Sequence, residues 1–184
     1  MVFNAFGIDL GTNNIKIYDR NEDKVVLEKN MIAIENKTTL FINNQNQTIM
    51  DYKIIDIEGV GDVYAEKLIA AGINKVSELL EKCAAPKGRK ELADATGISE
   101  KLILRWTNHA DLFRINGVGP QFSELLEKAG VDTVKEFRHR VAENLQPKLE
   151  EINTQFHICG RVPAVSEVQR MIDQAKELEP KMTY

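Results

Sequence analysis

The sequence predicts a mainly α protein, a helical domain built on a tandem repeat and preceded by a short β-hairpin or meander. Three observations carry this. Residues 57–80 (IEGVGDVYAEKLIAAGINKVSELL) and 115–138 (INGVGPQFSELLEKAGVDTVKEFR) align without a gap at an offset of 58 residues, ten of 24 positions being identical. A repeat in register means one supersecondary unit used twice. Beyond residue 50 apolar residues recur at helical intervals, whereas before residue 42 they alternate with polar ones as strands do.

The first segment, 1–41, reads as strands. Phe6 to Tyr18 (FGIDLGTNNIKIY) alternates around a Gly-Thr turn, and Lys24–Leu27 and Met31–Ile34 read as further short strands. This stretch resembles the opening of the MreB-type bacterial actins. In that family an Asp-x-Gly-Thr hairpin forms the first phosphate loop, and the resemblance puts Asp9, Gly11, Thr12, Asn13 and Asn14 at the loop positions. The likeness stops near Phe41. The second phosphate loop, adenosine pocket and opposing domain of an actin do not follow, so the loop is expected to be vestigial and inactive. Residues 42–49 form a polar linker (INNQNQT), and Met50 opens the next pattern as though it were its own start. The expectation is a gene fragment fused to an intact neighbour.

Residues 50–184 form the helical domain, with hairpins near 57–80 and 115–138. Each copy opens on Gly59-Val60-Gly61 or Gly117-Val118-Gly119, where glycine permits a sharp turn through positive φ. Val63, Ala65, Leu68 and Ile69 then recur helically in copy one, and Phe122, Leu125 and Leu126 in copy two. Pro120 suits a first helical position. Gly72 and Gly130 suit left-handed helix ends, and Thr133 with Glu136 has capping-box spacing. Such a turn points the free N–H groups of a helix start outward, where an anion can sit. The pattern resembles the helix-hairpin-helix motif, whose glycine turn grips the nucleic-acid backbone without reading bases. The resemblance assigns Gly59, Val60, Gly61, Gly117, Val118 and Gly119 to that contact.

Between the repeats, Leu92, Ala95, Leu102, Ile103 and Trp106 line two helices broken at Thr96-Gly97, with Ser99 able to cap the second. Ala93, Gly97 and Ile103 keep a helix-turn-helix spacing, which any two short helices joined at glycine approximate; a structural spacer, with Trp106 in the core, is expected. After the repeats, Leu145, Leu149, Ile152 and Phe156 form one stripe and Val165, Val168, Ile172 and Ala175 another, with Ser166 and Gln169 as a capping pair. The phrases YKIIDIEGVGDVYAEKLIAAGI, GRKELADATGISEKLILRW and HADLFRINGVG make this domain similar to an uncharacterised bacterial family of tandem helix-hairpin-helix proteins, which implies an all-helical protein without catalytic residues.

Composition sets limits on function. Hydrophobic residues at 43% and charged residues at 28% describe a soluble globular chain, with no apolar run long enough to span a membrane. Cys83 and Cys159 have no framework spacing, which points to a reducing cytoplasm. His157 and Cys159 lack further metal ligands nearby, so no metal or cofactor is expected. Residues 51–184 hold 19 Lys+Arg against 22 Asp+Glu, a net −3, which disfavours generic phosphate binding. Lys87, Arg89 and Lys90 cluster, as do Arg138, His139 and Arg140. Glu58 and Asp62 flank the first turn, whereas Arg114 adjoins the acid-free second turn with Asn116, Pro120 and Gln121. Two non-enzymatic functions therefore stand open. One is weak, sequence-independent nucleic-acid (DNA) binding through the turns, the second with Arg114 foremost. The other is a protein-interaction scaffold whose hairpins only pack helices.

Residues 1–49 hold too little of an actin fold to close a nucleotide site. Calorimetry of the full chain with ATP is expected to show no stoichiometric micromolar complex, and deletion of these residues is expected to leave 50–184 folded by circular dichroism.

Overall fold

The chain divides in the computed structural model into two units, Met1–Asp51 and Tyr52–Tyr184. The second is described throughout, residues 52–184; within the first only backbone strand segments between residues 5 and 50 are described, without side chains. The appendage expected at 1–41, its loop residues Asp9, Gly11, Thr12, Asn13 and Asn14, and the linker expected at 42–49 lie outside the fully described residues.

The second unit is mainly α. One 3-10 turn at Ile54–Asp56 leads into α1 (Asp62–Ala70), α2 (Val76–Cys83), α3 (Pro86–Thr96), α4 (Glu100–Leu112), α5 (Pro120–Lys128), α6 (Val134–Phe137), α7 (Ala142–Phe156) and α8 (Val165–Glu177). Copy one of the repeat supplies α1 and α2, and copy two α5 and α6. Helix α4 is central: it packs against α2, α3 and α5 and buries Ile103, Trp106, Ala110 and Leu112. A helix so enclosed cannot be laid in a nucleic-acid groove, in keeping with the spacer role read from the sequence. Full burial of an aliphatic side chain such as Ile103 or Leu112 contributes about 1.5–3 kcal/mol.

The repeated turn is made the same way twice, but only its first glycine needs to be glycine. Gly59 and Gly117 have φ of 85° and 91°, in the region that favours glycine. The second members, Gly61 and Gly119, are the N-caps of α1 and α5 with φ of −79° and −116°, an extended backbone open to any residue. The expectation of positive φ at both members is thus corrected. Between them Val60 and Val118 point inward and are buried, pinning the turn to the core.

Both long helices of the repeat stop identically. Gly72 (φ 83°) and Gly130 (φ 78°) donate to the carbonyls of Ile69 and Glu127, while Ile73 and Val131 donate to those of Leu68 and Leu126. This is the Schellman arrangement, and its accompanying apolar contact falls on four buried residues, Ile73 with Leu68 and Val131 with Leu126. Helix starts are mostly as read: Pro120 opens α5, Ser99 Oγ accepts from Leu102 N, and Thr133 Oγ1 accepts from Glu136 N. The carboxylate of Glu136, however, reaches one residue further back, to Asp132 N at 2.8 Å. At α8 the N-cap is Ala164, whose N–H donates to Glu167, and Gln169 instead pairs with Asp173. The Ser166–Gln169 pair is therefore not the cap.

Four apolar residues that mark the helical periodicity lie outside, one of them Ala95 on α3. Val63 and Ile69 are exposed on α1 and Phe156 at the end of α7, with Lys128 Nζ 4.7 Å above its ring. Helical spacing identifies a face, but whether that face has a neighbour depends on the tertiary fold. Gly88, which the sequence did not mark, sits where α3 meets α2, and a Cβ there would overlap the carbonyl of Lys82.

These placements separate the glycines by thermal unfolding. Gly59→Ser should cost about 1–2 kcal/mol, the penalty of a left-handed backbone for a residue with Cβ. Gly61→Ser, at an N-cap with open space around it, should be neutral or slightly stabilising. Gly88→Ala should lose about 1–3 kcal/mol by overpacking.

Candidate nucleic-acid interface

The two glycine turns share a backbone but not an environment. At the first, Glu58, Gly59, Gly61 and Asp62 are all exposed. The amides that begin α1 have no partner within the helix, because its first bonds run from Tyr64 and Ala65 back to Gly61 O. Helix α4 lies against this turn: a Cβ on Gly59 would stand 3.5 Å from Trp106 Nε1 and 3.9 Å from Arg105 Nη1. Trp106 is fully buried and stacks edge-on against Tyr64 at 5.2 Å, so the indole is a core anchor and does have an aromatic neighbour. Its Nε1 has no hydrogen-bond partner among the described residues. An open turn of this kind has amides to offer, but two carboxylates stand at its mouth.

The second turn is partly covered: Asn116 and Gly117 are exposed, whereas Gly119 and Pro120 are half-buried. Asn116 N donates to Gln174 Oε1 of α8 at 2.9 Å, and a Cβ on Gly117 would come within 2.7 Å of Met171 Cε, also of α8. Tyr52 Oη lies 3.3 Å from the Cβ position of Gly119. Arg114, expected as the cation beside this turn, is spent on the fold. Its Nη1 donates to Asp111 Oδ1 at 2.6 Å and its Nη2 to the Glu179 carbonyl at 2.8 Å, leaving 12% of the side chain exposed. The reason is Asp111, a buried carboxylate whose other oxygen accepts from Val134 N at 2.9 Å and so caps α6. A buried charge must be paired, and Arg114 is its pair.

The arginines of the other expected basic clusters are committed in the same fashion, while Lys87, Lys90 and His139 are exposed. Arg89 is buried and donates to the carbonyls of Cys83, Ala84 and Thr183 at 3.0, 2.9 and 2.8 Å. Arg138 donates to Lys176 O and Arg140 to Gly130 O. Lys82 and Lys148 perform equivalent tasks in the two copies, donating to Ala71 O and Ala129 O at the ends of α1 and α5. Helix C-termini carry orphan carbonyls and the negative end of the dipole, so cations placed there stabilise the fold. Sequence reading saw these side chains as clusters along the chain; their acceptors lie in other elements, or on the opposite side of a helix end, which spacing does not reveal.

Three further groups meet between α4 and α5. Arg105 Nε lies 2.8 and 2.9 Å from the two oxygens of Glu127, and the buried His109 Nε2 is 3.1 Å from Glu127 Oε2. Burial pushes the Glu127 carboxyl up, but the hydrogen bonds from His109 and Arg105 outweigh it and hold it at about 2. Burial raises the Cys83 thiol to about 11 and also raises Cys159, the opposite of an activated nucleophile. His157 closes α7 in a left-handed conformation, and Cys159 N donates to Asn153 Oδ1. Among the described residues no three metal-binding side chains gather, and no helix is long and apolar enough to cross a membrane.

A family model described as a domain of unknown function (DUF4332) matches residues 58–178, well over half of the chain. The chain belongs to this family. The match begins at the first glycine turn and takes in all eight helices, so the DUF4332 domain comprises both copies of the repeat and the α7–α8 pair that covers the second. No curated protein and no solved structure matches the chain.

The Glu127 cluster sets a pH dependence. Its carboxyl falls from an ordinary 4.5 to about 2 on folding, so the stability it contributes is complete above 4.5 and is lost as pH falls from 4.5 through 2. Urea unfolding across that window should show Glu127→Gln less stable than the parent at pH 7, with the difference shrinking on acidification.

Proposed function

We propose that this DUF4332 domain is a non-enzymatic protein-interaction scaffold in which two hairpins, similar to helix-hairpin-helix units, serve to pack helices. The observation that carries the reading is the contrast between the turns. The one free of acids is partly covered by Met171 and Gln174, and the one without that cover is bordered by Glu58 and Asp62. Phosphate binding requires exposed amides and cations together. Here the arginines near the turns are bound to carbonyls and carboxylates.

Nucleic-acid binding is the second reading, and one observation favours it: Gly59 to Asp62 present the start of a nine-residue helix to solvent, near Arg105. Any such contact would be weak, independent of sequence and confined to the first turn. A cytoplasmic location, absence of a cofactor and the MreB-like origin of residues 1–41 belong to the same proposal.

Titration of the full chain with duplex and single-stranded oligonucleotides at about 50 mM salt separates the readings. The scaffold predicts no saturable binding of either. Salt-sensitive binding that tightens in Glu58→Lys or Asp62→Lys would overturn it and install the first turn as a backbone contact. Arg114→Glu cannot serve here, since it strips Asp111 of its partner and should lower the melting temperature whatever the ligand.

A further inference from the structure

The two copies of the repeat are unequally covered. In copy two, α5 packs on α7, α6 packs on α8, and α8 partly covers the turn through Met171 and Gln174. In copy one, α2 is engaged by α3 and α4, but nothing equivalent to α7 or α8 lies on α1 among the described residues. At 100° per residue, Ile69, Asp62, Glu66, Ala70, Val63 and Lys67 share one side of α1, and all six are exposed. Val63 is 68% and Ile69 49% exposed. The opposite side, with Ala65 and Leu68, is the one in the core. At the position of exposed Lys67 copy two has Leu125, which is completely buried. Stacked repeats bury their faces against neighbours, and a terminal repeat without one presents that face to solvent.

Charge says what would cover it. From Lys53 to Lys67 there are four acids, Asp56, Glu58, Asp62 and Glu66, against two cations, Lys53 and Lys67, all exposed, a net −2. Nearby Arg105 is held by Glu127. A second copy of this chain using the same face would bring together two patches of the same net negative charge, which disfavours a two-fold contact. We infer that the exposed face of α1 docks a basic amphipathic helix of a partner protein, in the role that α7 and α8 fill on copy two. This rests on the scaffold reading and names its surface and the chemistry of its partner. Leucine-like residues of the partner helix would cover Val63 and Ile69, while its lysines or arginines meet the acids between and beside them.

The test uses the full chain, isotopically labelled, with a synthetic amphipathic helix of leucine and lysine as probe and a matched leucine–glutamate helix as control. The expected result is saturable binding of the basic peptide alone, weakened by salt, with chemical-shift changes confined to α1 and the Gly59–Gly61 turn. Val63→Ser with Ile69→Ser should weaken it about tenfold, the change that about 1.4 kcal/mol represents. Asp62→Lys with Glu66→Lys should abolish it and admit the acidic peptide. All four positions are exposed, so melting temperatures should change little, the one expected loss being a small one from a cation at the positive end of α1 in Asp62→Lys. Absence of binding overturns the inference. Shifts on another face overturn the surface but leave the scaffold reading intact, whereas oligonucleotide binding at this turn overturns the scaffold reading itself. Self-association in sedimentation that Val63→Ser removes would assign the face to a second copy instead.

Discussion

Asp111 stands at the end of α4 with essentially no exposure, and its two oxygens serve two different parts of the domain. One oxygen holds Arg114, which reaches on to the carbonyl of Glu179; the other caps α6 through Val134 N. Helix α6 is a single turn of four residues, too short to persist by its own hydrogen bonds. It exists because Asp111 and Thr133 satisfy its first amides and because Val134 and Phe137 are buried. Helix α8 in turn packs on α6 and partly covers the second glycine turn. One buried carboxylate therefore connects the spacer, the second hairpin and the segment beyond α8. Its charge is tolerable only with the guanidinium beside it.

The same economy explains an acidic domain with many arginines and no cationic surface near its turns. Helices this short and numerous leave many orphan carbonyls, and Arg89, Arg138, Arg140, Lys82 and Lys148 are spent on them. These cations are structural, while Lys53, Lys67, Lys87, Lys90 and Lys101 stay exposed along with much of the negative charge. Net charge alone disfavoured phosphate; the placement of each cation supplies the physical reason.

What could be read from the chain was what the backbone decides locally. The turn, the Schellman stops at Gly72 and Gly130, Ser99 and Pro120 as helix starts, and Trp106 in the core all follow from residues close in sequence. What could not be read was which face of a helix meets a neighbour. Val63, Ile69 and Phe156 have helical spacing yet are exposed, because nothing within their own helices records the absence of a covering element. Arg114 looked free because its partners are a side chain one turn back and a carbonyl 65 residues onward. Gly61 and Gly119 looked like obligatory glycines because they accompany ones that are. Gly88 passed unmarked, since only the closeness of α2 and α3 makes it necessary.

The unequal cover of the two hairpins also divides the domain in time. Local opening is governed by how much apolar contact a segment must give up. The amide of Asn116 is tied to a side chain of α8, and Gly117 lies beneath Met171, so motion at that turn requires α8 to shift with it. Among the described residues helix α1 has only its inner side engaged, and its turn bears no comparable tether. Two segments of nearly the same backbone thus belong to different kinetic populations, the first breathing by itself and the second only together with the end of the chain. Duplication copied the geometry of the hairpin, but its tempo was set by what later came to lie upon it.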